Sequence, residues 1–139
     1  MQVPNPSASG QMIDIMLYPV EKCKVNVKIL NGSPLIDINC NFIGRIYSMD
    51  NNSKYLENEE LEEISSQVNS YLQMVFMEYL YKTSLQFKSD INSFGKYAAK
   101  NFLTLGEFEQ YDWRNNYQNS IFKVYINTNV DSGFLVTET

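Results

Sequence analysis

Between Lys22 and Leu30 the chain alternates without a break, with Cys23, Val25, Val27 and Ile29 on one side and Lys22, Lys24, Asn26 and Lys28 on the other. A period of two belongs to a strand with one face buried. Asn31-Gly32 follows, the residue pair best suited to the left-handed angles of a two-residue hairpin turn. Ser33 to Ile43 then reads as the returning strand. A two-residue turn sets Ile29 opposite Pro34, Val27 opposite Ile36, Val25 opposite Ile38 and Cys23 opposite Cys40. Both apolar faces coincide in that register, and a slip of one residue would separate them. The cysteines fall on a non-hydrogen-bonded pair, with Cα atoms about 4.5 Å apart. A disulfide spans that separation near its short end; two free thiols acting as small hydrophobes fit the same place.

The rest of the chain supplies what such a hairpin needs to cover its apolar face. Residues 1–11 are polar and turn-rich, and are expected to be a flexible lead-in or linker before a single domain over 12–139. Met12 to Tyr18 is a strand candidate with Ile13, Ile15 and Leu17 on one face. Gly44 to Glu57 reads as a polar connection, with Gly44 as an isolated turn glycine at its start. A long helix is predicted from about Asn58 to about Phe87, with Leu61, Ile64, Val68, Tyr71, Leu72, Val75 and Tyr79 forming its stripe. Glutamates crowd its start, where the helix dipole favours anions. At ~1.5 Å per residue it would run about 45 Å, so a bend or a protruding end is expected.

Ser89-Asp90 offers an N-cap for a second helix through Phe94, Tyr97, Ala98 and Phe102. Thr104 to Glu107 is a capping box for a third, with Phe108, Tyr111 and Trp113. Ile121 to Thr128 alternates again as a last strand, ended at Ser132-Gly133. The predicted fold is α+β, in the order βββαααβ. About four strands form a mainly antiparallel sheet, with a long helix and two shorter helices packed on one face.

Composition narrows function mostly by exclusion. An apolar share of 44% over 139 residues suffices for a core. The net charge of −5 speaks against a nucleic-acid partner. There is no histidine, which removes histidine bases, histidine-activated nucleophiles and most zinc sites. No apolar run approaches the ~20 residues of a membrane span, and the first ten residues do not read as a signal peptide.

Lys88-Ser89-Asp90-Ile91-Asn92-Ser93-Phe94-Gly95 resembles the "KSDxxxFG" signature of Ger(x)C-type spore germination proteins. The preceding amphipathic helix, Tyr111-Asp112-Trp113 after it, the strand from Phe122 to Ser132-Gly133, and the basic strand and Asn-Gly turn upstream resemble that family in the same order. The resemblance implies the C-terminal domain of a lipoprotein, the C subunit of a nutrient germinant receptor. Such a protein is held at the outer side of the spore inner membrane by an N-terminal lipid anchor, which is expected to lie outside this sequence. Its implied partners are the A- and B-type receptor subunits and the preceding domains of its own chain. A location outside that membrane permits Cys23 and Cys40 to oxidise. The resemblance implies no enzyme activity and no cofactor, and no catalytic, cofactor-binding or metal residue is singled out.

Individual features admit sharper readings. Asp90 is expected to cap a helix and Lys88 to make a local ion pair. Gly95 is expected to allow a close helix-to-sheet contact, and Trp113 to belong to the core. Two other functions fit the sequence: a ligand-binding module with an aromatic pocket lined by Tyr79, Phe94 and Trp113, and, less well, a glycan hydrolase with Glu107 and Asp112 as acid and base. The partner surface is expected to include the outer side of the long helix, at Phe76 and Tyr81.

Overall fold

A computed structural model describes residues 1–6, 9–49 and 58–131. Strands β1 (Gln2–Pro4), β2 (Met12–Pro19), β3 (Lys24–Leu30) and β4 (Ser33–Met49) precede helix α1 (Asn58–Tyr81), which runs on as a π-helix over Lys82–Gln86. Short helices α2 (Gly95–Ala98), α3 (Leu105–Tyr111) and α4 (Trp113–Asn116) and two 3₁₀ turns (Ala99–Asn101 and Tyr117–Asn119) lead to β5 (Ile121–Asp131). The class is α+β, as predicted. The strand order is β1-β2-β4-β3, with β5 also pairing β4. The β1–β2, β2–β4 and β3–β4 pairs are antiparallel. The sheet has five strands rather than four, because residues 2–4 of the expected lead-in form β1, where Val3 is buried.

The hairpin register is the predicted one: Ile29 faces Pro34, Val27 faces Ile36 and Val25 faces Ile38. Asn31 and Gly32 take φ of 51° and 82°, both left-handed as a type I′ turn requires. Both cysteines are disulfide-bonded, and the chain holds only these two, so Cys23 is bonded to Cys40.

β4 does not end at Ile43. It continues to Met49, with Ile46 inward and fully buried, so the first part of the expected polar connection is strand. Gly44, read as a turn glycine, lies in mid-strand. A Cβ there would meet Ile15 Cγ2 at 3.1 Å and the Cγ2 methyls of Thr128 and Val130 at 3.4 Å. Its role is close approach of side chains to the backbone. The predicted break at Ser132-Gly133 falls outside the described residues.

The chain divides into two compact units. One comprises the described residues of 1–22, 40–72 and 126–139. Here Ile64 and Val68 of α1 pack with Ile13 and Ile15 of β2, Ile46 of β4 and Val130 of β5. Each such side chain stabilises by roughly 1.5–3 kcal/mol. The other unit comprises residues 23–39 and 73–125. Its buried side chains include Val27, Ile36, Leu80, Phe94, Ala98, Tyr117 and Phe122.

Along α1 the inward row is not quite the one expected. Leu61, Ile64, Val68 and Leu72 face inward to differing degrees, but Tyr71 and Tyr79 are exposed and Leu80 is buried in their stead. Four residues advance an α-helix by about 40° more than a full turn, so a row at that spacing winds around α1 from 68 through 72 and 76 to 80.

Candidate functional site

The signature residues gather where the long helix ends. The π-helix closes with Phe87 N–H donating to Lys82 O at 3.0 Å. Lys88 then adopts φ 51°, the left-handed position that normally ends a helix with glycine. Ser89 N–H reaches back to Thr83 O at 3.0 Å. Lys88 therefore serves through its backbone, and among the described residues its exposed side chain makes no ion pair.

Asp90 is the hub. Its Oδ1 accepts from Phe94 N–H at 2.8 Å, and its Oδ2 accepts from Gly95 N–H at 2.8 Å and from the indole Nε1–H of Trp113 at 2.9 Å. The cap was predicted, but its form was not. The carboxylate reaches over a turn in which Ser93 takes φ 59°, and α2 begins only at Gly95. Helical structure then runs no further than the 3₁₀ turn at Asn101, with Phe102 extended.

Gly95 explains itself at the same point. A Cβ there would lie 2.9 Å from Trp113 Nε1 and 3.0 Å from Trp113 Cδ1. The close approach is therefore to the indole and not to the sheet. Trp113 opens α4 and is aimed by Asp112, whose φ of 57° breaks the helical run between α3 and α4.

Behind this hub lies an aromatic core. Trp113 contacts Tyr117 at 5.6 Å between ring centroids; Phe94, Tyr117 and Tyr81 surround Phe122 at 6.4, 6.1 and 5.0 Å. Tyr117 is fully buried, and its hydroxyl shares a hydrogen bond of 2.7 Å with Thr83 Oγ1, which also bonds Leu80 O at 2.6 Å. Burial pushes the Tyr117 phenol up to about 12. Tyr81 OH accepts from Phe122 N–H at 3.2 Å. Sequence reasoning missed Thr83, Tyr81 and Phe122 as one group, since their signal is spatial; Tyr81 lay off the assumed helical stripe. Tyr81 turns its ring and hydroxyl to Phe122, and both Tyr81 and Phe76 are half-buried.

The rival sites take other shapes. Phe94 is buried against Phe122 and Trp113 is bonded to Asp90, while Tyr79 is exposed, with its hydroxyl 3.5 Å from Asn92 Oδ1. Phe94 is thus spent on the aromatic core and Trp113 on the Asp90 network. Glu107 is occupied in the predicted capping box: Thr104 Oγ1 accepts from Glu107 N–H at 3.1 Å, and Glu107 Oε2 accepts from Leu103 N–H at 3.1 Å. Asp112 Oδ2 accepts from the Asn115 side-chain amide. Both carboxylates are at work in local helix ends. Among the described residues no group of three or more His, Cys, Asp or Glu is arranged to hold a metal ion. Nor is any described helix long and apolar enough to cross a membrane.

Comparison with known proteins agrees with the geometry. The family described as "Spore germination B3/ GerAC like, C-terminal" matches residues 1–133. The crystal structure of the GerBC protein superposes with a TM-score of 0.72 over 94% of this chain, at 16% identity, which shows a shared fold. The chain spans 39% of the length of that protein. No curated protein matches significantly.

Proposed function

Since this chain belongs to the Spore germination B3/GerAC-like C-terminal family, we propose that it is a non-enzymatic domain of a nutrient germinant receptor's C subunit. In this reading it contributes to receptor assembly and germination signalling. The family match over residues 1–133 carries the reading. The use of the signature residues supports it: Asp90, Gly95 and Trp113 are spent on positioning one another and the aromatic core. A fold alone would not have sufficed, because folds host unrelated functions.

In the same reading the chain, with β1 included, belongs to the C-terminal domain of a longer lipoprotein anchored at the outer side of the spore inner membrane. Its partners are the A- and B-type subunits and the preceding domains of its own chain. The test is cross-linking in spores followed by affinity capture of the tagged full-length protein from inner-membrane extracts. Recovery of a multi-pass A-type subunit with a B-type subunit is expected. Normal nutrient germination in a strain lacking the gene's only receptor operon, or capture without either subunit, would overturn the reading.

A further inference from the structure

The two units differ in charge. Residues 23–39 and 73–125 carry eight Lys and Arg against six Asp and Glu, whereas residues 1–22, 40–72 and 126–139 carry three against ten. The cationic excess has a focus. A cleft of about 310 Å³ is walled by the Val25–Lys28 segment of β3 on one side and by Tyr97, Lys100 and Asn101 on the other. Lys96 and Lys100 hold their ammonium groups 5.1 and 5.4 Å from the centre of the Tyr97 ring, a geometry that favours a cation over the π face. Lys28 stands on the facing wall. All three lysines are exposed, and among the described residues none of them sits in an ion pair. No Asp or Glu lines the cleft. Asp37, opposite Asn26 in the register, is half-buried outside it.

The backbone beside this cleft is a strand edge. β3 ends the strand order, with β4 as its neighbour. The type I′ turn makes Leu30 and Ser33 a hydrogen-bonded pair, so pairs alternate outward and Val25 and Val27 turn their N–H and C=O groups to the open side. Val27 O confirms this by accepting from Asn101 Nδ2 at 2.8 Å. The asparagine closes the edge at one point, and the cleft begins there.

We infer that this cleft docks an acidic, extended segment of a partner protein, laid beside β3 with its carboxylates between Lys28 and Lys100. Charge complementarity selects that occupant: unpaired ammonium groups line both walls of a groove in an otherwise acidic chain, and such fields raise both encounter rate and specificity. Strand-edge groups suit an extended backbone.

The test uses this chain and a fluorescein-labelled peptide of alternating Glu and Thr, read by anisotropy at low and moderate salt. Saturable binding that weakens with salt is expected, falling about tenfold or more in a K28E/K100E variant and unchanged in K123E on β5. Amide chemical-shift changes should centre on Val25–Lys28 and Lys100. Absence of saturable binding, or an equal loss in K123E, would overturn the inference. So would tighter association with phosphatidylglycerol vesicles than with the peptide, which would assign the lysines to a lipid surface. Concentration-dependent self-association abolished by K28E/K100E would also overturn it, making a second copy the occupant.

Discussion

The indole N–H of Trp113 donates to Asp90 Oδ2 at 2.9 Å, across 23 residues of sequence. The same carboxylate caps the amides of Phe94 and Gly95. One side chain thus fixes the start of α2, the placement of α4 and the packing of the aromatic core behind them.

Replacing Asp90 with Ala leaves three donors without their acceptor. Hydrogen bonds to a charged group contribute about 1.5–3 kcal/mol each, though not additively. We expect a loss of about 3 kcal/mol for Asp90→Ala and a smaller one for Asp90→Asn, measured by urea unfolding. Trp113 is the chain's only tryptophan, so its emission should shift to the red in the alanine variant. An unchanged spectrum and midpoint would refute the hub.

Gly95→Ala discriminates between two effects of opposite sign. Helix propensity alone favours alanine by about 1 kcal/mol. The new Cβ would sit 2.9 Å from Trp113 Nε1, and such overpacking typically costs about 1–3 kcal/mol. Net destabilisation of about 1 kcal/mol or more is expected on thermal unfolding. A stabilised Gly95→Ala would mean the indole moves freely.

Joining Cys23 to Cys40 closes a loop that contains every β3–β4 pair, from Lys24–Asn39 to Leu30–Ser33. For a loop near that length the chain-entropy account gives about 3 kcal/mol. A C23S/C40S variant should lose about 2–3 kcal/mol while keeping the Val27–Ile36 and Val25–Ile38 pairings in nuclear Overhauser spectra. Mass spectrometry of the unreduced protein should show no alkylatable thiol.

Alkaline pH should destabilise the fold through Tyr117. Its phenol is raised to about 12 in the folded protein by burial, against about 10 when unfolded. Between those values the unfolded chain has released a proton that the folded chain retains, so unfolding free energy falls as pH rises. Tyr111 is raised by burial too and acts in the same direction. Tyr117→Phe should flatten the decline between about pH 10 and 12 and cost about 1 kcal/mol at neutral pH. An identical slope in both proteins would reject Tyr117 as the source.

The hairpin was legible because two constraints coincide in it: a two-residue turn and two apolar faces that match in one register. The capping box at Thr104 and Glu107 was legible for a similar reason, being local. The long helix was harder. Leu61, Ile64 and Val68 belong equally to a row through Tyr71 and to a row through Leu72 and Leu80, and only packing chooses between them. Gly44 was misread because a glycine in a polar stretch signals a turn, while its real neighbours, Ile15, Thr128 and Val130, lie far off in sequence. The candidate site was half legible. Asp90 announces a cap, but nothing near it in sequence announces Trp113.

The disulfide has an inside and an outside. Cys23 is exposed, whereas Cys40 is 2% exposed. A reducing thiolate must approach the sulfur it attacks in line with the bond, so only Cys23 offers itself as a target. The mixed disulfide then forms at Cys23, and Cys40 must depart as an anion while buried from water, where charge is disfavoured. Opening the bond is therefore slow in the folded protein, whatever its equilibrium potential. Reductant will find the bond chiefly in chains that have already begun to unfold, and the lifetime of the linkage becomes a clock for the opening of the fold around it.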